Sequence, residues 1–150
     1  MRGYILLVVA VTIFTACSNP SIRPIVGPDG FSVIVSESGP LTEVSGGLYG
    51  LDLTEPSIAI RSVVVDGNIR GTELQIAVDV LEGSSSDFDL PPGDGVYQVL
   101  QISHDSADLV VFSNIQIRFD VTKEWLEERG YKPDAITLER LEEDWHLLPT

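Results

Sequence analysis

Ile115-Gln-Ile-Arg-Phe-Asp-Val-Thr-Lys-Glu-Trp-Leu-Glu-Glu-Arg-Gly-Tyr-Lys-Pro-Asp-Ala-Ile-Thr-Leu-Glu-Arg140 reads as a strand, a capped helical turn and the start of a second strand. Ile115, Ile117, Phe119 and Val121 alternate with Gln116, Arg118 and Asp120, which predicts a strand with one buried and one wet face. At Thr122 the period changes. Thr122 is placed to cap a helix, Glu124 suits its positive end and Arg129 its negative end. Gly130 fits the left-handed position after the helix, and Pro133 prevents continuation. Val121 and Leu126 occupy the two positions of a hydrophobic staple, and Tyr131 can reach back to Leu126.

Outward from this stretch the chain is a succession of short strands. Residues 57–65 are β-branched and apolar between Pro56 and the Asp66-Gly67 turn. Leu74, Ile76, Val78 and Val80 alternate with Glu73, Gln75, Ala77 and Asp79, and residues 96–103 form the next strand. Residues 136–141 and 145–148 pair as a hairpin around Glu142-Glu143-Asp144. Residues 31–36 alternate weakly and suit an edge strand, while residues 37–54, rich in Gly and Ser, read as loop or irregular β. The pattern predicts a mainly all-β chain: an antiparallel β-sandwich, Ig-like in character, with one short helix near 122–129.

The net charge is −14, and the nine basic residues are scattered from Arg2 to Arg140 without forming a cluster. Binding a polyanion releases counterions only where cations are grouped, so nucleic acid is excluded as a partner. Cys17 is the only cysteine, which excludes an intrachain disulfide and every multi-cysteine metal site. Its setting gives it a different meaning. Arg2 precedes an apolar run over residues 4–14, and Thr15-Ala16-Cys17 follows, then Ser18-Asn19-Pro20. The run is short for a mature bilayer span and suits a signal peptide. Small residues before a lone cysteine look like a lipobox, with Phe14 standing where an aliphatic residue is usual. Residues 1–16 are therefore expected to be a signal peptide, and Cys17 the lipidation site that anchors the chain to a membrane. An uncleaved anchor or an ordinary cut near Ala16 are the other readings, and all three place the body outside the cytoplasm. Residues 17–30 carry Pro20, Pro24, Gly27 and Pro28 and read as a linker. An edge strand and irregular loop over 31–56 and a sandwich domain over 57–150 complete the expected organisation.

Four stretches in order carry a resemblance: Gly95-Val-Tyr-Gln-Val-Leu-Gln-Ile-Ser-His104, Ile117-Arg-Phe-Asp-Val-Thr-Lys-Glu-Trp-Leu126, Pro133-Asp-Ala-Ile-Thr-Leu-Glu-Arg140 and Trp145-His-Leu-Leu-Pro-Thr150. They resemble the PGF-pre-PGF domain of archaeal cell-surface proteins, over residues 57–150. Glu124 stands where that family usually has Ser, and residues 141–145 lack its Asp-Gly turn. The family continues beyond the position of Thr150 into a further strand, so the resemblance implies a C-terminally truncated copy. It implies a cell-surface location and an architecture rather than catalysis.

Candidate chemistry is sparse. Asp87, Asp89 and Asp94 lie in a Gly/Pro-rich loop, where carboxylates can wrap calcium, although the spacing is not that of an EF-hand and solvated loop acids are the favoured explanation. Trp125 and Trp145 can offer sugar-stacking faces, or pack against Leu126, Leu147 and Leu148. His104 and His146 sit in no nucleophile motif, and no phosphate loop or zinc-protease motif occurs. The sequence thus predicts a non-enzymatic, lipid-anchored surface module that contacts other envelope proteins. A carbohydrate-binding module for surface glycans through Trp125 or Trp145 is the alternative, and an extracytoplasmic hydrolase a third.

Overall fold

The computed structural model describes residues 5–10, 31–67, 74–83, 96–104, 112–141 and 145–148. Among them the chain is mostly β, in two sheets with one α-helix. The strands are β1 (Ile5–Ala10), β2 (Phe31–Pro40), β3 (Thr42–Ser45), β4 (Leu48–Asp52), β5 (Ile60–Gly67) and β6 (Gln75–Gly83). They continue with β7 (Val96–His104), β8 (Phe112–Phe119), β9 (Ile136–Leu141) and β10 (Trp145–Leu148). A six-stranded sheet has the order β10-β9-β1-β7-β6-β2, and a four-stranded sheet the order β3-β4-β5-β8.

The two sheets share one core. Ile76, Val78, Val80, Leu100, Ile102 and Leu138 from the larger sheet meet Ile60, Val63 and Val65 from the smaller. Alternation explains which residues point inward: Ile76, Val78 and Val80 are buried while Gln75, Ala77 and Asp79 are half-exposed. A second, smaller cluster of Phe31, Leu81 and Val99 lies on the opposite face of the larger sheet. Strand β2 serves both faces because its register with β6 slips at Ile34. Val33 pairs with Leu81 and Val35 with Val80, so the extra residue turns Val35 to the main core.

Among the described residues every pairing is antiparallel except two. Strand β1 runs parallel to β7 on one side and parallel to β9 on the other. The order of strands makes β1 the link through which the β9–β10 hairpin joins the rest of its sheet. The sandwich expected from the sequence is present, and these two parallel pairings are its exception. The strand is built from Ile5-Leu6-Leu7-Val8-Val9-Ala10, part of the apolar run that also reads as an export signal. A central parallel strand and an export segment both call for an unbroken apolar run.

Residues 37–54, which in sequence suggest loop or irregular β, are largely strand. Strand β2 continues to Pro40, and β3 and β4 form a hairpin in which Ser45 pairs with Leu48. Its two-residue turn, Gly46-Gly47, has φ of 51° and 93°, the double positive φ that a tight hairpin requires. The fully exposed β3 offers no alternation, which is why its sequence looks like loop. On β8, Ile117 and Phe119 pack against the core as expected, but Ile115 is 40% exposed. Among the described residues β8 is an edge strand with a neighbour on one side only, so its alternation outlasts its burial.

Helix α1 (Lys123–Arg129) follows its sequence signals at the C-terminus more closely than at the N-terminus. Thr122 sits at the N-cap with extended φ and ψ, yet its side chain makes no capping hydrogen bond, contrary to expectation. Gly130 is left-handed at φ 65°, and its N–H donates to the Glu127 carbonyl at 3.1 Å while the Tyr131 N–H donates to the Leu126 carbonyl at 2.9 Å. This pair of bonds is a Schellman closure.

Candidate functional site

Among the described residues, a dense network of side-chain hydrogen bonds gathers around residues 53–61, where the chain leaves β4 and enters β5. Ile58, Ala59 and Ile60 are buried there, so the backbone around them needs internal partners. Leu53 N–H donates to the Arg61 carbonyl at 2.8 Å, and Ile58 N–H to the Glu55 carbonyl at 3.2 Å. Three side chains complete the fastening. From β2, the Glu37 carboxylate accepts the Glu55 N–H at 2.8 Å, and the Thr54 N–H and hydroxyl at 3.0 Å. From β7, Gln98 accepts the Ala59 N–H at 2.8 Å, and its amide donates to the Ser57 carbonyl at 2.6 Å. From β5 itself, Arg61 donates to Asp120 at 3.1 Å and to the Glu55 carbonyl at 3.3 Å. Glu37 and Gln98 stand on the larger sheet and Arg61 on the smaller, so this segment ties the two together.

The electrostatics follow from these bonds. Burial alone would raise the Glu37 carboxyl, but the donors from Glu55 and Thr54 outweigh it and hold the group below its ordinary value. Glu55 is lowered chiefly by the backbone N–H and side chain of Ser57. Glu37 opposes that shift, as a neighbouring negative charge must. Both carboxylates are held ionised as hydrogen-bond acceptors.

A second arrangement is aromatic. Trp125 lies edge-on to Tyr97 of β7, with ring centroids 5.1 Å apart and planes at 76°. Tyr131 approaches the same ring at 5.8 Å. The Arg129 guanidinium carbon is 4.6 Å from the Trp125 centroid, a cation–π contact between residues one helical turn apart. The helix places Trp125 and Arg129 on one side, and the Schellman closure returns Tyr131 to it. Trp125 is half-buried, and its ring surface is engaged by these three neighbours.

Of the site residues singled out from the sequence, Trp125 is the one whose side chain is described. Cys17, Asp87, Asp89 and Asp94 lie outside the described residues, as does the side chain of Trp145, whose backbone opens β10 opposite Leu141. Among the described residues no group of three or more His, Cys, Asp or Glu can hold a metal, and no helix is long and apolar enough to cross a membrane. Sequence reasoning missed Glu37, Gln98 and the Arg61–Asp120 pair. Their partners are far away in the chain and mostly backbone atoms, so no spacing announces them. No protein-family model, no curated protein and no solved structure matches the chain.

Proposed function

We propose that the chain is a lipid-anchored, non-enzymatic interaction module of the cell envelope, exported through residues 1–16 and held to the membrane by lipid on Cys17. The observation that carries this reading is the order Arg2, apolar run, Thr15-Ala16-Cys17, then a Pro-interrupted linker. The resemblance to PGF-pre-PGF domains supports the same location. Use of the Glu37 and Glu55 carboxylates to fasten backbone supports a body built for rigidity rather than turnover.

The test is the intact mass of the protein recovered from its native membrane fraction. A mass for residues 17–150 plus lipid supports the proposal, with loss of membrane retention in Cys17→Ser. An unlipidated mass, or one retaining residues 1–16, refutes it.

A further inference from the structure

Residues 5–10 have two uses that exclude each other. As β1 they lie between β7 and β9: Leu6, Val8, Val9 and Ala10 pair with Val96, Val99, Leu100 and Gln101, and Ile5 to Val9 pair with Ile136 to Arg140. Alternate residues of an extended strand turn their N–H and C=O groups to opposite edges, so a strand flanked on both sides has its backbone engaged on both. As part of the apolar run over residues 4–14, the same residues are the segment that an export apparatus must take into a groove or into lipid. A segment built into the sheet is available to neither.

Given the leader reading, on which this inference rests, we infer that β1 is a mask: the finished sheet conceals the leader, and only chain in which this sheet is open is exported and acylated at Cys17. Two features of the fold tie the mask to folding of the whole body. Both neighbours are distant in sequence, β7 at Val96–His104 and β9 at Ile136–Leu141, so hiding the segment takes long-range pairing that an unfolded chain lacks. Strand β1 is also interior to its sheet, in the order β9-β1-β7, and not at a border where strands fray. Freeing it breaks two ladders at once, which requires a larger opening than fraying of an end. Its partners are themselves fixed. Leu100, paired with Val9, is 0% exposed and Leu138, paired with Leu7, is 5% exposed, and both belong to the core that the two sheets share. The mask therefore holds in the folded body and is absent from the unfolded chain.

The experiment offers the full chain to vesicles of its native membrane in two states, folded in buffer and diluted directly from urea. Intact mass follows loss of residues 1–16 and gain of lipid at Cys17. The chain released from urea should be processed, and the folded chain more slowly by about tenfold or more, since a reaction that goes through an open form follows the population of that form. Gln98→Leu lies outside the leader and removes the bonds from β7 to Ala59 and Ser57. It should speed processing of the folded chain and leave the urea-released chain unaffected. Hydrogen exchange gives a readout independent of processing: in the folded chain the amides of residues 5–10 should stay protected as long as those of β6. Free exchange at residues 5–10 beside a protected β6 would overturn the mask, as would a folded Gln98→Leu chain that is less stable yet processed no faster. The urea-released chain separates failure of the leader from failure of the mask. If it keeps residues 1–16, the leader reading fails and the mask falls with it. If it is processed and the folded chain keeps pace, the leader reading stands and the mask alone fails.

Discussion

Gln98 on β7 and Ala59 at the entrance to β5 are joined across the sandwich: the Gln98 carbonyl oxygen accepts the Ala59 N–H at 2.8 Å. The same side chain donates to the Ser57 carbonyl at 2.6 Å, so one amide satisfies a donor and an acceptor of a different sheet. Ala59 is 2% exposed, and water cannot readily take over when the amide is removed. Gln98→Leu should therefore cost about 1–3 kcal/mol, the penalty for leaving a buried polar group unmade. Gln98→Glu keeps the acceptor for Ala59 but loses the donor to Ser57, and should fall between the two. Urea unfolding of the three proteins orders them, and equal midpoints for Gln98→Leu and the wild type would show that the clasp contributes nothing.

Glu37 gives the fold a dependence on acid. Its carboxyl titrates below its ordinary value of 4.5 in the folded protein, because the folded state prefers the ionised form. The associated stability is fully present above the unfolded value and is lost as pH falls through the lower, folded one. Glu55 is shifted in the same direction and acts over the same window. The melting temperature should thus fall as pH drops below about 4.5, and Glu37→Gln should flatten that fall while lowering stability at neutral pH. Parallel curves for the two proteins would remove Glu37 from the acid response.

Gly130 closes helix α1 at φ 65°, and a Cβ built there would meet nothing within 4 Å. The cost of a side chain at this position is then one of backbone conformation, not crowding. Gly130→Ala should destabilise the protein by about 1 kcal/mol. Gly130→Asn should cost less, because asparagine tolerates the left-handed region. Thermal melts that rank alanine above asparagine would contradict this assignment.

Trp125 holds α1 against β7 through Tyr97. Being half-buried, it should lose about 3 kcal/mol or less on truncation to Ala, the low end for large aromatic groups. In a Trp145→Phe background, Trp125 fluorescence should be unmoved by surface glycans, since Arg129 and the two tyrosines engage the ring. A saturable change on adding a glycan would favour the carbohydrate-binding reading.

The elements legible in the sequence are those whose alternation survives tertiary packing. The β9–β10 hairpin, β7, β6 and the turn after α1 lie where their residues predict: β6 sets one face against the main core, and Gly130 ends α1 in the left-handed conformation that glycine favours. Strand β3 escaped notice because all of it is exposed, so no period develops. Strand β1 escaped for the opposite reason. A strand with neighbours on both sides and an unbroken apolar sequence has no period either, and composition alone cannot distinguish it from an export segment. The clasp of Glu37 and Gln98 was hidden by distance: each is one polar residue on an ordinary strand, and the atoms it serves belong to backbone brought near only by folding.

The pairing of Ile5 with Ile136 also sets a timetable. Strand β1 leaves the ribosome well before β9, which lies about 130 residues further along the chain. At ordinary synthesis rates on the order of ten seconds separate them, and until β7 emerges the apolar hexapeptide has neither of its sheet neighbours to pair with. Long-range pairings of this kind close late. The segment is consequently exposed at the time when targeting factors sample a nascent chain, and concealed only once the whole sheet exists. Order of emergence, rather than any difference in sequence, would decide whether these residues are read as an address or built in as a strand.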